Sequence, residues 1–140
     1  MTIWANPITL ADVNQRSENT AASHLDIKFT EIGVDYLVAT MPISNKSKQP
    51  FGLLHGGISV ALAETVASSA ANYCVDQQRF YCVGLDINAN HIKSVSKGIV
   101  TATTCPIHIG RKTHVWEIKI NDDSDSLVCI SRLTVAVISR

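Results

Sequence analysis

The chain has no excess charge, no C-x-x-C pair among its cysteines, no basic leader and no apolar run free of polar residues. Each lack closes off a class of function. Twelve Lys and Arg against twelve Asp and Glu leave a formal charge of zero. No overall field therefore draws the chain to nucleic acid or to an anionic membrane, and any polyanion it binds must be held by local groups. Of the four cysteines, Cys74, Cys82, Cys105 and Cys129, three stand in apolar or β-branched surroundings. That is the pattern of structural thiols in a reducing compartment rather than of a disulfide framework. His24, His108 and His114 are scattered without ligand spacing, so no metal site is expected. The start, MTIWANPITL, lacks the basic residues and continuous apolar block of a signal peptide. Gly57 to Cys74 is long enough to suggest a membrane span, but it carries Glu64, Thr65, Asn72 and three serines, which makes it the helix of a water-soluble protein. A cytoplasmic location is expected.

What is present is patterned like one domain. At 140 residues the chain can bury roughly two-thirds of the surface its unfolded form exposes. Residues 1–140 read as a single domain without repeat, low-complexity tract or linker. Thr9-x-x-Asp12 fits a capping box that opens a short helix ending near Ser17. LDIKFTEIG and YLVATMPI read as strands, with Ile27, Phe29 and Glu31 on one face of the first and Gly33-Val34-Asp35 turning between them. After the polar SNKSKQP comes a long apolar helix. Then follow the strand-like runs FYCVGLDINANHI, GIVTATTCPIH, HVWEIKI and LVCISRLTVAVI, separated at Lys97-Gly98, Gly110-Arg111 and Asp122-Asp123-Ser124. The order predicts an α+β fold, an antiparallel sheet of five to six strands wrapped around one principal helix.

Along that helix Ile58, Ala61, Leu62, Val66, Ala70 and Tyr73 form an apolar stripe. The opposite side, Val60, Ala63, Ala67 and Ala71, is small and apolar where a surface helix is charged. One sheet covers one side, so a second subunit is expected to cover much of the other. Between Lys48 and Asp76, Glu64 is the only fully charged side chain. It lies one turn from Val60 and one from Ser68, with no Lys or Arg a turn away to neutralise it. Glu64 is either a structural glutamate bonded to a loop or a carboxylate placed for nucleophilic or general-base chemistry, with Ser68 orienting it.

The sequence His55-Gly56-Gly57 favours the second reading. Glycines let a ligand approach the backbone, the unpaired N–H groups of a first helical turn suit an oxyanion, and His55 can donate to the same oxygen. Yet Glu64 lies seven positions past Gly57, roughly 10 Å along the helix axis. That is too far to share one carbonyl with the start of its own helix. Two such helices running antiparallel across a dimer interface remove the difficulty, because His55 and Gly56 of one chain then meet Glu64 of the other. The expected site is composite, two per dimer.

QPFGLLHGGISVALAETVAS, VGLDINANHIKSV and the closing SRLTVAVI resemble the hotdog-fold thioesterases of the PaaI-like superfamily. Within it the likeness is to the group of 1,4-dihydroxy-2-naphthoyl-CoA hydrolases and the enterobactin-pathway proofreading thioesterase, related to the Arthrobacter-type 4-hydroxybenzoyl-CoA thioesterase. The resemblance spans almost the whole chain and implies a long helix wrapped by a curved sheet, dimers with a continuous sheet, and tetramers. It implies that the acid at Glu64 attacks the thioester or activates water and comes from the opposite subunit. It further implies that Gln49 and His55 orient or polarise the carbonyl, that the Gly56 N–H completes the oxyanion hole, and that Ser68 helps place water or the acid.

The implied substrate is an acyl-CoA, aromatic by resemblance, or the thioester of an acyl carrier protein, with no other cofactor. Candidate contacts are Gly57, then His91, Lys93 and Ser94 after the third strand, and Gly110, Arg111 and Lys112 in a turn, because cations and turn amides pair with phosphate. A solvated basic hairpin accounts for the same turn. Side chains of both subunits, Val60, Ala67 and Ala71 among them, are expected to shape the acyl pocket. Trp4 and Trp116 are expected to pack rather than stack on a ligand. Two other functions use the same motifs: a hydratase or dehydratase acting on acyl thioesters, and a non-catalytic acyl-CoA-binding module.

Overall fold

The structure, a computed structural model, describes residues 1–140. Two short helices, α1 (Leu10–Arg16) and α2 (Ala21–His24), precede β1 (Lys28–Ile32) and β2 (Leu37–Pro42). The long helix α3 (Gly56–Tyr73) follows, then β3 (Phe80–His91), β4 (Ile99–Ile109), β5 (Thr113–Asn121) and β6 (Leu127–Ser139). The six strands form one sheet in the order β1-β2-β4-β5-β6-β3, every neighbouring pair antiparallel. The sheet curls around α3, which packs on β2, β3, β4, β5 and β6.

Local chemistry departs from the sequence reading in two places. At α1 the Thr9 hydroxyl accepts the Asp12 N–H at 3.1 Å, but Asp12 returns no bond to the Thr9 amide, so only half of a capping box forms. The reciprocal box occurs instead at α2, between Thr20 and Ser23. In β1 the expected alternation fails at Glu31. A bulge inserts Thr30 between the pairs Phe29↔Ala39 and Glu31↔Val38. It turns Glu31 out to solvent while Ile27 and Phe29 remain buried.

The core lies between α3 and the sheet. Its largest fully buried side chains include Trp116, Leu37, Met41, Leu62, Ile118 and Leu133. Ala63, Ala67 and Ala71 are 0% exposed within the single chain, so the side of α3 expected to await a partner is already covered. A curled sheet reaches around more than one side of a helix, and small residues let its strands come close. Of the three positions expected to shape a pocket, only Val60 stays accessible. Ile58 and Ala61 are half-buried, and the open face of α3 runs through Val60, Ala61, Glu64, Thr65, Ser68, Ser69 and Asn72.

Trp4 is half-buried, with its indole N–H on the Gly33 carbonyl at 2.8 Å, and Trp116 is fully enclosed. Beside Trp116 sits His114, and neither Trp116 Nε1 nor His114 Nδ1 has a hydrogen-bond partner. Burial, reinforced by the nearby His108, pushes the His114 pKa below the ordinary histidine value. All four cysteines are free thiols, with Cys82 and Cys129 buried and Cys105 exposed. Burial raises the Cys74 thiol to about 12 and that of Cys82 to about 11, which leaves both unreactive at neutral pH. No helix is long and apolar enough to cross a membrane.

Two strands are edges, β1 and β3. On β3, Tyr81, Val83 and Leu85 are 37%, 41% and 61% exposed. Asn72 blocks the start of this edge: its carbonyl oxygen accepts the Cys82 N–H at 2.8 Å and its amide donates to the Cys82 carbonyl at 3.1 Å. This clamp also fixes α3 against β3.

Candidate active site

The loop into α3 is folded by its own backbone. The His55 N–H donates to the Ser47 carbonyl at 2.8 Å, Gln49 N–H to Leu53 carbonyl at 2.8 Å, and Leu54 N–H to Val95 carbonyl at 2.7 Å. Gly52 takes the left-handed φ of +78° that closes the turn. Within this turn Gln49 Oε1 accepts the Phe51 N–H, which leaves the Gln49 NH₂ as the end free to donate.

His55 is the N-cap of α3. Its Nδ1 accepts the Gly57 N–H at 2.9 Å, so the neutral ring carries its proton on Nε2 and presents a donor outward. The Ile58 and Ser59 amides donate to the His55 carbonyl at 2.9 and 3.0 Å. With Gly57, Ile58 and Ser59 engaged, the Gly56 N–H is the first-turn donor with no acceptor in the chain. Gly57, expected to touch substrate, is committed to the cap.

Gln49, Gly56, Ser59, His91, Lys93 and Ser94 line one cleft of about 270 Å³, with Leu53, Leu54, Ile92 and Val128 as its apolar walls. The His91 ring lies against Gly56: a Cβ at position 56 would stand 2.8 Å from His91 Nε2. Lys93 is not a free cation. Its Nζ meets Asp122 Oδ2 at 2.6 Å, and this bond, with the Ser126 and Ser124 amides, holds the Asp122 carboxyl below the usual range. The sequence marks Asp122 only as part of a turn.

Glu64, about two turns beyond Gly56 along α3, meets β3 at a different point. It is half-buried on the open face of α3, with its carboxylate over Gly84 of β3, where a Cβ would come within 2.5 Å of Glu64 Oε1. The carboxylate accepts no hydrogen bond and meets no cation in the chain. Ser68, expected to orient it, makes no bond to it and opens onto another cleft, of about 210 Å³, with Arg16, Ser69 and Asn72. His91 lies seven residues beyond Gly84, about 20 Å of strand. Within one chain, the acid and the free Gly56 amide are therefore apart.

Gly110, Arg111 and Lys112 are not brought to either group. They turn between β4 and β5, with the Lys112 carbonyl accepting the Val137 N–H at 2.8 Å. Since Val137 pairs with Cys82, this turn lies at the end of the sheet away from His91. No group of three or more His, Cys, Asp or Glu gathers as metal ligands would. Sequence reading missed Gly84 and Asn72. The signal for the first was a lone glycine inside a strand, which marks a bulge or a close approach; the second had none beyond its place two turns after Glu64.

Comparison with known proteins sets this geometry in a family. Residues 51–129 match the model of the Thioesterase superfamily. The 1,4-dihydroxy-2-naphthoyl-CoA hydrolase of Escherichia coli is 46% identical over 97% of this chain and 99% of its own. A crystal structure of a mutant thioesterase from Pseudomonas aeruginosa superposes with a TM-score of 0.97 at 42% identity, covering 99% of this chain and 100% of that one. A thioesterase from Haemophilus influenzae gives 0.96 at 47% identity, over 99% and 96% of the two chains. The helix wrapped by an antiparallel sheet is the hotdog fold, and the chain belongs to the thioesterase superfamily as a thioester hydrolase.

Proposed function

We propose that the chain hydrolyses an acyl-CoA thioester in a site shared by two copies, Glu64 from one and Gln49, His55 and Gly56 from the other. One observation carries this reading. A carboxylate without partner and an amide without acceptor abut one edge strand, at Gly84 and at His91. Those positions are symmetric about a point between Ile87 and Asn88, in the later half of β3. A two-fold axis there, pairing β3 with β3 of a second copy antiparallel, sets Glu64 of each chain beside Gly56 of the other. Asn72 already occupies the edge at Cys82, which favours a ladder over the later part of the strand.

In that site the thioester carbonyl oxygen accepts from the Gly56 N–H, the Gln49 NH₂ and His55 Nε2, donors aimed at the charge that develops there. Glu64 attacks the carbonyl carbon or takes a proton from the water that does. The tetrahedral adduct collapses with cleavage of the C–S bond, and the electron pair leaves on the CoA sulfur, which is released as the thiol. With water as the nucleophile this collapse gives the free acid, and the proton taken by Glu64 passes to the thiolate. With Glu64 as the nucleophile it leaves a mixed anhydride, which one water then cleaves to free acid and the restored Glu64 carboxylate, the water's remaining proton going to the thiolate. Ser68, a turn from Glu64, helps to place that water.

The pantetheine arm lies in the cleft of Gly56, His91 and Ser94. The two-fold that reverses β3 carries the Gly110, Arg111 and Lys112 turn of the second copy to the end where this cleft opens, as a contact for CoA phosphates; Lys93 contributes if it leaves Asp122. An aromatic acyl group is favoured by similarity to the naphthoyl-CoA hydrolase. We assign the protein to the cytoplasm, working without further cofactor, as a dimer that pairs into a tetramer. The test is release of free thiol from aryl, short-chain and long-chain acyl-CoAs by wild type and Glu64→Ala. Aryl-CoA turnover lost in the variant is expected. Formation of an enoyl product, or equal activity of the two proteins, would overturn the assignment.

A further inference from the structure

Four observations meet at Gly84. It faces α3, as Cys82 does two residues earlier. A Cβ built on it would stand 2.5 Å from Glu64 Oε1 and 3.3 Å from Glu64 Cδ, whereas the next neighbour, Leu133 Cδ1, is at an ordinary 3.6 Å. Its φ is not in the left-handed region, where Gly52 and Gly98 alone among the glycines are found, so the backbone does not require glycine. It begins a bulge, with Gly84↔Val135 followed by Asp86↔Thr134.

We infer that Gly84 is a positioning residue: position 84 is bare because the reacting oxygen of Glu64 rests on its Cα. The inference rests on the proposed role of Glu64 and goes beyond it by assigning the support under the acid. The helix cannot yield room by sliding, because Asn72 grips both backbone groups of Cys82. Leu133 is fully buried and sets the far wall. What yields to a methyl group at 84 is the carboxylate, the tip of a side chain that no hydrogen bond holds. The fold loses little by that movement, and the chemistry loses the placement of its key atom.

The size of the effect follows from the overlap. Van der Waals contact at a Cβ begins near 3.4 Å, so Oε1 must retreat from 2.5 Å by about 1 Å, and a misplacement of ~1 Å at a reacting group lowers rate on the order of a hundredfold. The experiment is steady-state thiol release, on the acyl-CoA that wild type turns over best, for wild type, Gly84→Ala, Glu64→Gln and the double variant, with thermal unfolding of each. Gly84→Ala is expected to unfold within a few degrees of wild type, to lower kcat by about a hundredfold with KM within a few fold, and to cause no further loss when added to Glu64→Gln. Additive losses in the double variant, or wild-type kcat in Gly84→Ala, would overturn the inference.

If Gly84→Ala unfolds early, its Tm is compared with and without the Glu64 side chain. Recovery of Tm in Gly84→Ala/Glu64→Ala supports the overlap; equal destabilisation in both backgrounds refutes it. Should Glu64→Gln itself keep wild-type kcat, the proposed role of the acid fails first, and the two failures are distinct.

Discussion

His114 makes stability depend on pH in a window where few side chains titrate. It is 1% exposed, and Nδ1 has no partner. Burial disfavours the charged ring, His108 adds like charge, and the backbone of Gly110 opposes them weakly, so the folded-state pKa lies below the ordinary histidine value of about 6.5. The sign follows from linkage. Below pH 6.5 the unfolded chain takes up a proton at this histidine that the folded chain refuses, so stability falls as pH falls and levels off once the folded pKa is passed. Each pH unit in that window removes at most about 1.4 kcal/mol. From pH 6.5 to 5.5, therefore, a domain of this size loses up to about 4 °C in Tm. The assay is thermal unfolding at fixed ionic strength from pH 7.5 to 5.0, for wild type and His114→Gln. The variant is expected to show a smaller fall over the window. Equal slopes in the two proteins, or a Tm rising toward pH 5.5, would refute the linkage.

Two further changes probe the elements that hold the site. Gly56→Ala puts a methyl group 2.8 Å from His91 Nε2 at the first position of α3, so the ring must give way. kcat/KM is expected to fall roughly tenfold with Tm within a few degrees of wild type, and an unchanged kcat/KM would contradict the packing. Asn72→Ala strips both partners from Cys82, which costs about 1–3 kcal/mol, and chemical denaturation is expected to show a lower midpoint with an unchanged m-value.

The strands were legible because the sheet buries one face and exposes the other. Each of the six matches one run marked by period-two patterning and turn residues, with β4, β5 and β6 reaching one residue beyond theirs, to Ile109, to Thr113 and Asn121, and to Ser139. What misled was the helix. A stretch apolar on every side reads as a helix awaiting a partner, but composition does not reveal how far a sheet curls, and Ala63, Ala67 and Ala71 turned out covered by their own chain. The Glu31 bulge was hidden because alternation reports side-chain type, not register.

At the site, His55, Gly56 and Glu64 stood out because their types conflict with their surroundings. Gln49, His91, Lys93 and Ser94 entered through family likeness and phosphate chemistry, and the structure gathers them with Gly56 in one cleft. The Lys93–Asp122 pair and the seat of Glu64 on Gly84 join residues 29 and 20 positions apart, a distance over which single-sequence patterning carries no pairing information. Arg111 and Lys112 were grouped with the anchors on charge alone, and topology sends them to the other end of the sheet.

The most direct test makes two chains each defective at one half of the site, Glu64→Gln and Gln49→Ala/His55→Ala, with different affinity tags, and purifies the mixed pair. If Glu64 serves the neighbour's Gly56 end, the mixed pair holds one intact site and one doubly defective site, and thiol release recovers to about half the wild-type rate per dimer. A mixed pair no faster than its two parents would place both halves of the site within one chain and contradict the account.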